Sequence, residues 1–333
     1  MNKELQFQAF VLRQDDEGGV QSAVESLRLD QLPKGDVLVQ VSHSGVNYKD
    51  GLASIPNSTI VRRYPFIPGI DLAGTVVESS HPGFQPGDGV LCTGYELGVS
   101  HEGGFSQYAR VKGDWLLHLP DGLSPRDAMA IGTAGFTAAL SIAALIRNGL
   151  SNDQGPVLVT GATGGVGSFA VSILSRLGYS VTASTGKTSH IEWLKRLGAA
   201  DVLSREETAA DSGKALSSQK WAAVVDPVGG SQLGSLLKSV RYGGSIAVSG
   251  MTGGGAVETT VYPFILRGIS LLGIDSVYCP MDVRASIWKR LADEWKPETV
   301  LADGITEYGL SDLPGLLETI LAGEAVGRSV VRL

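Results

Sequence analysis

The sequence is poor in the residues that make covalent and metal frameworks. Its 333 residues include two cysteines, Cys92 and Cys279, and five histidines scattered singly at His43, His81, His101, His118 and His190. Two cysteines cannot build a disulfide scaffold. A structural zinc site needs four clustered Cys or His ligands, and no such set is present. Positive charge is also in short supply: 27 Lys and Arg against 34 Asp and Glu give a net charge of −7. Duplex nucleic acid is bound by basic residues neutralising phosphates, so that class of partner is not expected. No Gly-x-Ser-x-Gly elbow occurs, so acyl-enzyme chemistry has no support. The amino terminus carries no apolar h-region, and the longest apolar stretch, 134–146, is shorter than a bilayer-spanning helix and reads as a buried one. The expectation is a soluble, cytoplasmic protein.

What is present is material for packed cores. Apolar residues make up 43% of the chain and charged residues 18%. That length and composition suit two globular domains. Segments 6–13, 36–43 and 74–79 are rich in Val, Leu and Phe between turn residues, which predicts strands of a compact, partly open antiparallel barrel. From about residue 128 the texture changes. Strands are predicted at 157–160, 179–184, 200–203, 222–226, 245–249 and 270–275. Helices are predicted between most of them, including 166–177 and 189–197, each followed by a glycine. This alternation predicts a doubly wound parallel sheet with right-handed crossovers. A helix at 313–322 and a strand at 329–333 are expected to return to the first domain.

The strand at 157–160 leads into Gly161-x-x-Gly164-x-x-Gly167 and then a helix. The first glycine permits the tight turn, the middle pair, Gly164 and Gly165, lets backbone approach a pyrophosphate, and the last lets helix and strand pack closely. Thr163 and Val166 complete the loop. Its phosphate would rest on the helix N-terminus, where free N–H groups and the dipole favour an anion. In a strand-turn-helix context the motif reads as a dinucleotide site. An NAD site places a carboxylate at the end of the next strand. Here that strand ends Ala183-Ser184-Thr185-Gly186-Lys187, and Arg205 follows the third strand. Hydroxyls and cations suit a 2′-phosphate, which favours NADPH. The plain alternative for Lys187 and Arg205 is a solvated surface charge. The turn also fits short-chain reductases, but their Tyr-x-x-x-Lys lies downstream of it. This chain's Tyr108-Ala-Arg-Val-Lys112 lies upstream and reads as an ordinary strand.

Several segments together resemble the medium-chain dehydrogenase/reductase superfamily, in its zinc-free quinone oxidoreductase branch. They are Gly45-Val-Asn-Tyr-Lys-Asp50, Pro68-Gly-Ile-Asp-Leu-Ala-Gly74, Pro86-Gly-Asp-Gly-Val90, Gly103-Gly-Phe-Ser-Gln-Tyr-Ala109 and Gly132-Thr-Ala-Gly-Phe-Thr-Ala138. A subgroup that includes acryloyl-CoA reductases is similar at Asn47-Tyr-Lys-Asp, Arg110-Val-Lys-Gly-Asp-Trp115, and Pro263-Phe-Ile-Leu-Arg267 leading into Gly273-Ile-Asp-Ser-Val277. The resemblance implies an α/β fold: a Rossmann doubly wound parallel sheet (129–300) inserted in a β-rich, GroES-like, partly open barrel (1–128 and 301–333). Zinc members carry Cys where this chain has Asn47, and His-Glu where it has Ile70-Asp71.

The resemblance further implies that Tyr48 lies beside the nicotinamide, as a hydrogen-bond donor or as a wall of the pocket. Asn47 is the second candidate donor, while Asp71 reads as structural. Further cofactor contacts are implied from Met251, Ile265, Ser276 and Arg328. Lys49, Arg62 and Arg63 are candidate cations for the phosphates of a CoA thioester, with solvated loop charges as the alternative. Without a Lewis acid, alcohol oxidation is disfavoured. Hydride addition to the β-carbon of an α,β-unsaturated carbonyl such as acryloyl-CoA is expected. Quinone reduction, or a non-enzymatic nucleotide-bound sensor or structural role, are the alternatives. The strand at 270–275 is expected at the sheet edge, where pairing with a second subunit would give a homodimer.

Overall fold

The computed structural model describes residues 5–210 and 213–333, in two compact units. Of the described residues, the first comprises 5–133, 277–292 and 304–333; the second comprises 134–210, 213–276 and 293–303. The chain thus passes between units more often than a single insertion at 129–300 requires. Segment 277–292 packs with the first unit, and the short segment 293–303 with the second.

The first unit opens with a hairpin, β1 (Gln6–Gln14) and β2 (Val20–Arg28). β3 (Val37–Gly45) follows, then the short helix α1 (Tyr48–Ala53), β4 (Asp71–Ser79), β5 (Gly89–Thr93), β6 (Tyr108–Val111) and β7 (Leu117–His118). Tyr108 and Lys112 fall on and just after β6, as the sequence implied. Alternate residues Val37, Val39 and Val41 of β3 are buried with Leu72, Val76, Val90 and Trp115 in one core. Alternation puts the three β3 residues on one face, while Leu38 on the other is buried with Phe7, Ala9 and Ile67 in a second core, so both faces of this part of β3 are covered.

Helix α2 (Pro125–Arg147) is longer than the 134–146 expected. It is long and apolar enough to cross a membrane, but 78% of its apolar window is buried within the protein. It is broken at Gly132, whose φ of 48° and ψ of −157° are closed to residues with a Cβ. The first unit's opening segment ends one residue later.

The second unit holds β8 (Val157–Val159), α3 (Gly165–Arg176), β9 (Val181–Thr185), α4 (Ile191–Arg196), β10 (Asp201–Ser204), α5 (Arg205–Ala209), β11 (Trp221–Asp226), α6 (Gly230–Leu237), β12 (Val240–Val248), α7 (Tyr262–Arg267) and β13 (Ser270–Gly273). All strand pairs are parallel, in the order β10-β9-β8-β11-β12-β13. This is the doubly wound arrangement whose order reverses beside the first strand, where ligands bind outside the carboxyl ends. The central strands β8 and β11 are buried along their whole length, as a sheet covered on both faces requires.

The chain then gives α8 (Met281–Ala292) to the first unit, α9 (Glu298–Asp303) to the second, and β14 (Ile305–Tyr308), α10 (Leu313–Leu321) and β15 (Arg328–Arg332) to the first. β15 pairs antiparallel with β3, giving a seven-stranded sheet ordered β14-β15-β3-β4-β5-β7, with β6 also on β3. Leu313, Leu317 and Val331 pack against Phe10, Val46 and Phe66. The tail packs with the first unit.

A Cβ at Gly132 would meet Asp71 Oδ2 at 2.5 Å and Arg328 Nη2 at 2.9 Å. Strained backbone and a blocked buried pair together predict that Gly132→Ala loses about 3 kcal/mol or more. A urea midpoint unchanged from wild type would refute this.

Candidate active site and cofactor cradle

In the second unit, the glycine turn is built as its spacing implied. Gly161 has φ of +54°. A Cβ at Gly167 would collide with the Gly161 carbonyl, so helix α3 closes directly onto the turn. A Cβ at Gly164 would meet only the Gly161 oxygen, at 3.4 Å, so that face of the loop is open. Gly164 is the N-cap, and no side chain caps the helix. Gly165, Val166 and Gly167 form its first turn, where N–H groups lack intrahelical acceptors. An uncapped helix start beside open glycine backbone is the arrangement by which helix N-termini receive anions. The floor of the turn is fixed by a buried carboxylate that sequence reasoning passed over. Asp226 ends β11 and accepts Thr160 Oγ1 at 2.5 Å, Val228 N and Gly229 N, both at 3.1 Å. Its signal was available: an Asp closing an apolar run, Trp-Ala-Ala-Val-Val-Asp226, sits at the carboxyl end of a parallel strand.

The end of β9 differs from expectation in its hydroxyls. Ser184 and Thr185 are 2% and 4% exposed. Ser184 Oγ lies 2.8 Å from Thr208 Oγ1, and Thr185 Oγ1 lies 3.1 Å from Thr163 Oγ1 and accepts Lys187 N at 3.0 Å. These side chains hold the corner together rather than face outward. One cation reaches this corner. The Arg205 guanidinium lies against Gly186, where an added Cβ would be 3.1 Å from Nη2, and half-buried Lys187 is the next residue. Met251 and Ile265 are each 69% exposed, and Ser276, half-buried, closes the segment 134–276.

In the first unit, Asn47 and Asp71 are bonded to each other. Asn47 Nδ2 donates to Asp71 Oδ2 at 2.8 Å and to Gly45 O at 3.2 Å, and Asn47 Oδ1 accepts Arg328 Nη1 at 3.2 Å. Both amide hydrogens are therefore engaged, and Asn47 has no donor left for a substrate oxygen. Its expected role as second donor is corrected to that of a brace. Asp71 also accepts Thr133 N at 2.8 Å and Thr133 Oγ1 at 2.5 Å, in line with its structural reading. Arg328, expected at the cofactor, is 4% exposed and turned inward. Its Nε donates to Ala130 O at 2.8 Å and its Nη1 to Val46 O at 2.7 Å, while Nη2 stands 3.9 Å from Asp71 Oδ2. Tyr48 opens α1 immediately after this knot and is 37% exposed. Arg63 is already occupied: it donates to Glu102 Oε1 at 2.7 Å and covers the Phe66 ring. Lys49 is half-buried and Arg62 exposed.

Two buried groups had no sequence signal. Arg284 of α8, 1% exposed, donates to Thr93 O at 2.7 Å and to Val277 O at 3.1 Å, pinning segment 277–292 to β5. Asp50 accepts Asn47 N at 2.8 Å and Ile70 N at 3.0 Å. Burial, and then the charge of Asp71, push Asp50 up to about 7. Burial also pushes Asp71 above the ordinary range, against the pull of Arg328 and Thr133. Among the described residues no group of three His, Cys, Asp or Glu side chains is placed to hold a metal ion. At the positions zinc members use, Ile70 offers no lone pair, and Asn47 and Asp71 satisfy each other. The donor set does not fit zinc.

A dinucleotide cradle at the switch point of a parallel sheet, in a chain that also folds a β-rich unit, defines an oxidoreductase of the medium-chain dehydrogenase/reductase superfamily. Residues 33–121 match the alcohol dehydrogenase GroES-like domain and 165–293 the zinc-binding dehydrogenase family. The chain belongs to that superfamily's quinone oxidoreductase and acrylyl-CoA reductase branch. It is 49% identical over 326 residues to the acrylyl-CoA reductase AcuI of Ruegeria pomeroyi, covering 98% of each chain. It is 57% identical over 310 residues to YhfP of Bacillus subtilis (strain 168), a provisional quinone oxidoreductase, covering 93% of this chain and 94% of YhfP. The crystal structure of YhfP with NAD bound superposes with a TM-score of 0.96 at 55% identity, covering 99% of this chain and 100% of that one. The YhdH oxidoreductase of Salmonella enterica in complex with NADP gives 0.94 at 47%, covering 98% and 99%.

The position of Asp50 has a consequence in pH. A carboxyl raised from 3.8 to about 7 in the folded state contributes stability that is full below the lower value, falls as pH rises between the two, and is lost above 7. Asp50→Asn removes this titration and sacrifices a pH-independent hydrogen bond. Relative to wild type, the variant should therefore fare better at pH 8 than at pH 5 in urea denaturation. The same difference at both pH values would overturn the assignment.

Proposed function

We propose that the protein is an NADPH-dependent, zinc-free reductase that adds hydride to the β-carbon of an α,β-unsaturated carbonyl, with acryloyl-CoA or a similar small enoyl thioester as acceptor. The observation that carries the cofactor choice is the corner of β9. It ends without a carboxylate, the Arg205 guanidinium lies against Gly186, and Lys187 is the next residue. Two cations suit a 2′-phosphate, and a carboxylate would suit a 2′-hydroxyl. The likeness to AcuI supports the thioester. NADPH would lie along the glycine turn and supply the hydride. The α3 N-terminus holds its pyrophosphate, and Met251, Ile265 and Ser276 lie on the same unit to line the remainder.

Charge would build on the carbonyl oxygen as hydride reached the β-carbon, a donor aimed at that oxygen would lower the barrier, and a proton taken up at the α-carbon would complete the reduction. Asn47 is fully bonded, so the Tyr48 hydroxyl takes this role. With Arg63 paired, Lys49 and Arg62 remain for the CoA phosphates. Quinone reduction is the second reading, supported by the likeness to YhfP.

The test follows NADPH absorbance with acryloyl-CoA, crotonyl-CoA, simple enones and quinones. Acryloyl-CoA should exceed the others in kcat/KM by orders of magnitude; comparable slow rates on all would defeat the thioester assignment. Tyr48→Phe should lower kcat by about 100-fold, and an unchanged kcat would remove the donor. Lys187→Glu should raise the KM for NADPH about tenfold or more, through loss of a charge-assisted contact, while sparing NADH. Equal effects on both cofactors would refute its 2′-phosphate role.

We further propose a cytoplasmic homodimer. β13 is a terminal strand of its sheet, and Leu271 on it and Ile265 and Leu266 nearby are 40%, 69% and 57% exposed. An uncovered apolar edge favours pairing with a second copy. Both cysteines are free thiols, as a reducing compartment maintains. Light scattering at micromolar concentration should give twice the 34.8 kDa chain mass; a monomeric mass would reject the dimer.

A further inference from the structure

Arg205 lies on the five-residue helix α5, too short to be stable by itself, so something else must fix its guanidinium over Gly186. A buried polar cluster behind the corner supplies that fixation. Thr208, one turn after Arg205, is 8% exposed, and its hydroxyl is saturated. It donates to Arg205 O at 2.9 Å, with Ser204 O at 3.2 Å, and it accepts Gln232 Nε2 at 2.9 Å. With its one hydrogen so used, the 2.8 Å contact to Ser184 must have the Ser184 hydroxyl as donor. Three elements, β9, α5 and α6, thus meet at one oxygen. The start of α5 is set by a capping box: Glu207 N donates to Ser204 Oγ at 3.1 Å, and Ser204 N donates to Glu207 Oε2 at 2.7 Å.

On the outer side, Gly186 leaves the space the guanidinium fills. A Cβ there would meet Nη2, Cζ and Nε of Arg205 at 3.1, 3.3 and 3.5 Å, and nothing else within that range. Its φ lies outside the left-handed region, so alanine is conformationally tolerated. The guanidinium would be the group displaced.

We propose that Ser184, Thr208 and Gln232 form a latch that, with Gly186, positions Arg205 beside Lys187 and thereby sets discrimination between NADPH and NADH. This rests on the 2′-phosphate reading of the corner. Ser184 and Thr208 are positioning residues: they act through Arg205 and touch no substrate.

The latch is distinguished from ordinary core polarity by a ratio. Thr208→Val keeps shape and removes the hydroxyl. Loss of two or three hydrogen bonds should raise the KM for NADPH by about 3- to 10-fold, with the KM for NADH and the NADH-supported kcat unchanged. Thr208→Ser, which keeps the hydroxyl, should restore the ratio. Gly186→Ala, at an exposed position where folding is not at stake, should weaken NADPH in the same sense. If Thr208→Val folds and both cofactors weaken equally, or neither changes, the latch is overturned. Should Thr208→Val fail to fold, Gly186→Ala decides alone: an unchanged NADPH to NADH ratio rejects the positioning of Arg205. Arg205→Leu separates the inference from its premise. If Arg205→Leu leaves the ratio untouched, the 2′-phosphate reading itself falls; if it shifts the ratio while Thr208→Val and Gly186→Ala do not, only the latch falls.

Discussion

The first unit is organised around a carboxylate and a guanidinium that have both left water. Asp71 and Arg328 are 0% and 4% exposed. Removing such charges from solvent is costly unless nearly every lone pair and N–H is matched. Asp71 is matched by Asn47, Thr133 N and Thr133 Oγ1, and Arg328 by the carbonyls of Ala130 and Val46. The partners come from four distant stretches of chain: the end of β3, the start of β4, the break in α2 and the start of β15. Satisfying one charge therefore fixes all four. The knot also dictates glycine at two of them, because a Cβ at Gly45 or Gly132 would enter the space between the charges. It sets where α1 begins and so where Tyr48 stands.

This arrangement bears on why the chain can dispense with the metal of its zinc-dependent kin. A catalytic zinc organises its surroundings as well as polarising a carbonyl. Here the organising task falls to hydrogen bonds. Asn47 and Asp71 brace one another, and on the proposed function the polarising task passes to a donor outside the knot, Tyr48. That division accounts for Asn47, attractive from its position alone, having both amide hydrogens committed to Asp71 and Gly45. A side chain whose donors are all committed holds geometry and cannot also respond to charge that develops elsewhere.

What was legible in the sequence was what depends on local backbone physics. The Gly161 to Gly167 turn is readable because positive φ and close packing admit no other residue. The strand-helix alternation led to the parallel sheet because crossovers have one hand. Helix stops at Gly178 and Gly198 are readable for the same reason, and both have positive φ. Segment 277–292 was not assigned correctly. An amphipathic helix announces that it has an apolar face but not which core will receive it. Its anchor, Arg284, is a charged residue of a kind expected at the surface. The carboxylates Asp50 and Asp226 and the hydroxyl of Thr208 were passed over for a related reason: beside its local partners each has one 20 or more residues away, Ile70, Thr160 and Gln232 in turn, which topology selects.

The corner of β9 shows how far composition carries and where geometry must take over. Ser184-Thr-Gly-Lys187 reads as a phosphate-binding set because hydroxyls and a cation are good phosphate ligands. That reading treats the four residues as equivalent contributors. A strand, however, turns successive side chains to opposite faces, and both faces of β9 are covered. Ser184 and Thr185 are therefore drawn into the interior, where an unpaired hydroxyl is costly, and each finds a threonine. Only past the strand end, at Gly186 and Lys187, does the chain reach solvent. On the proposed function, charge for the 2′-phosphate comes from there and from α5. The hydroxyls still matter, because a cation on a short helix discriminates between ligands only as well as that helix is held.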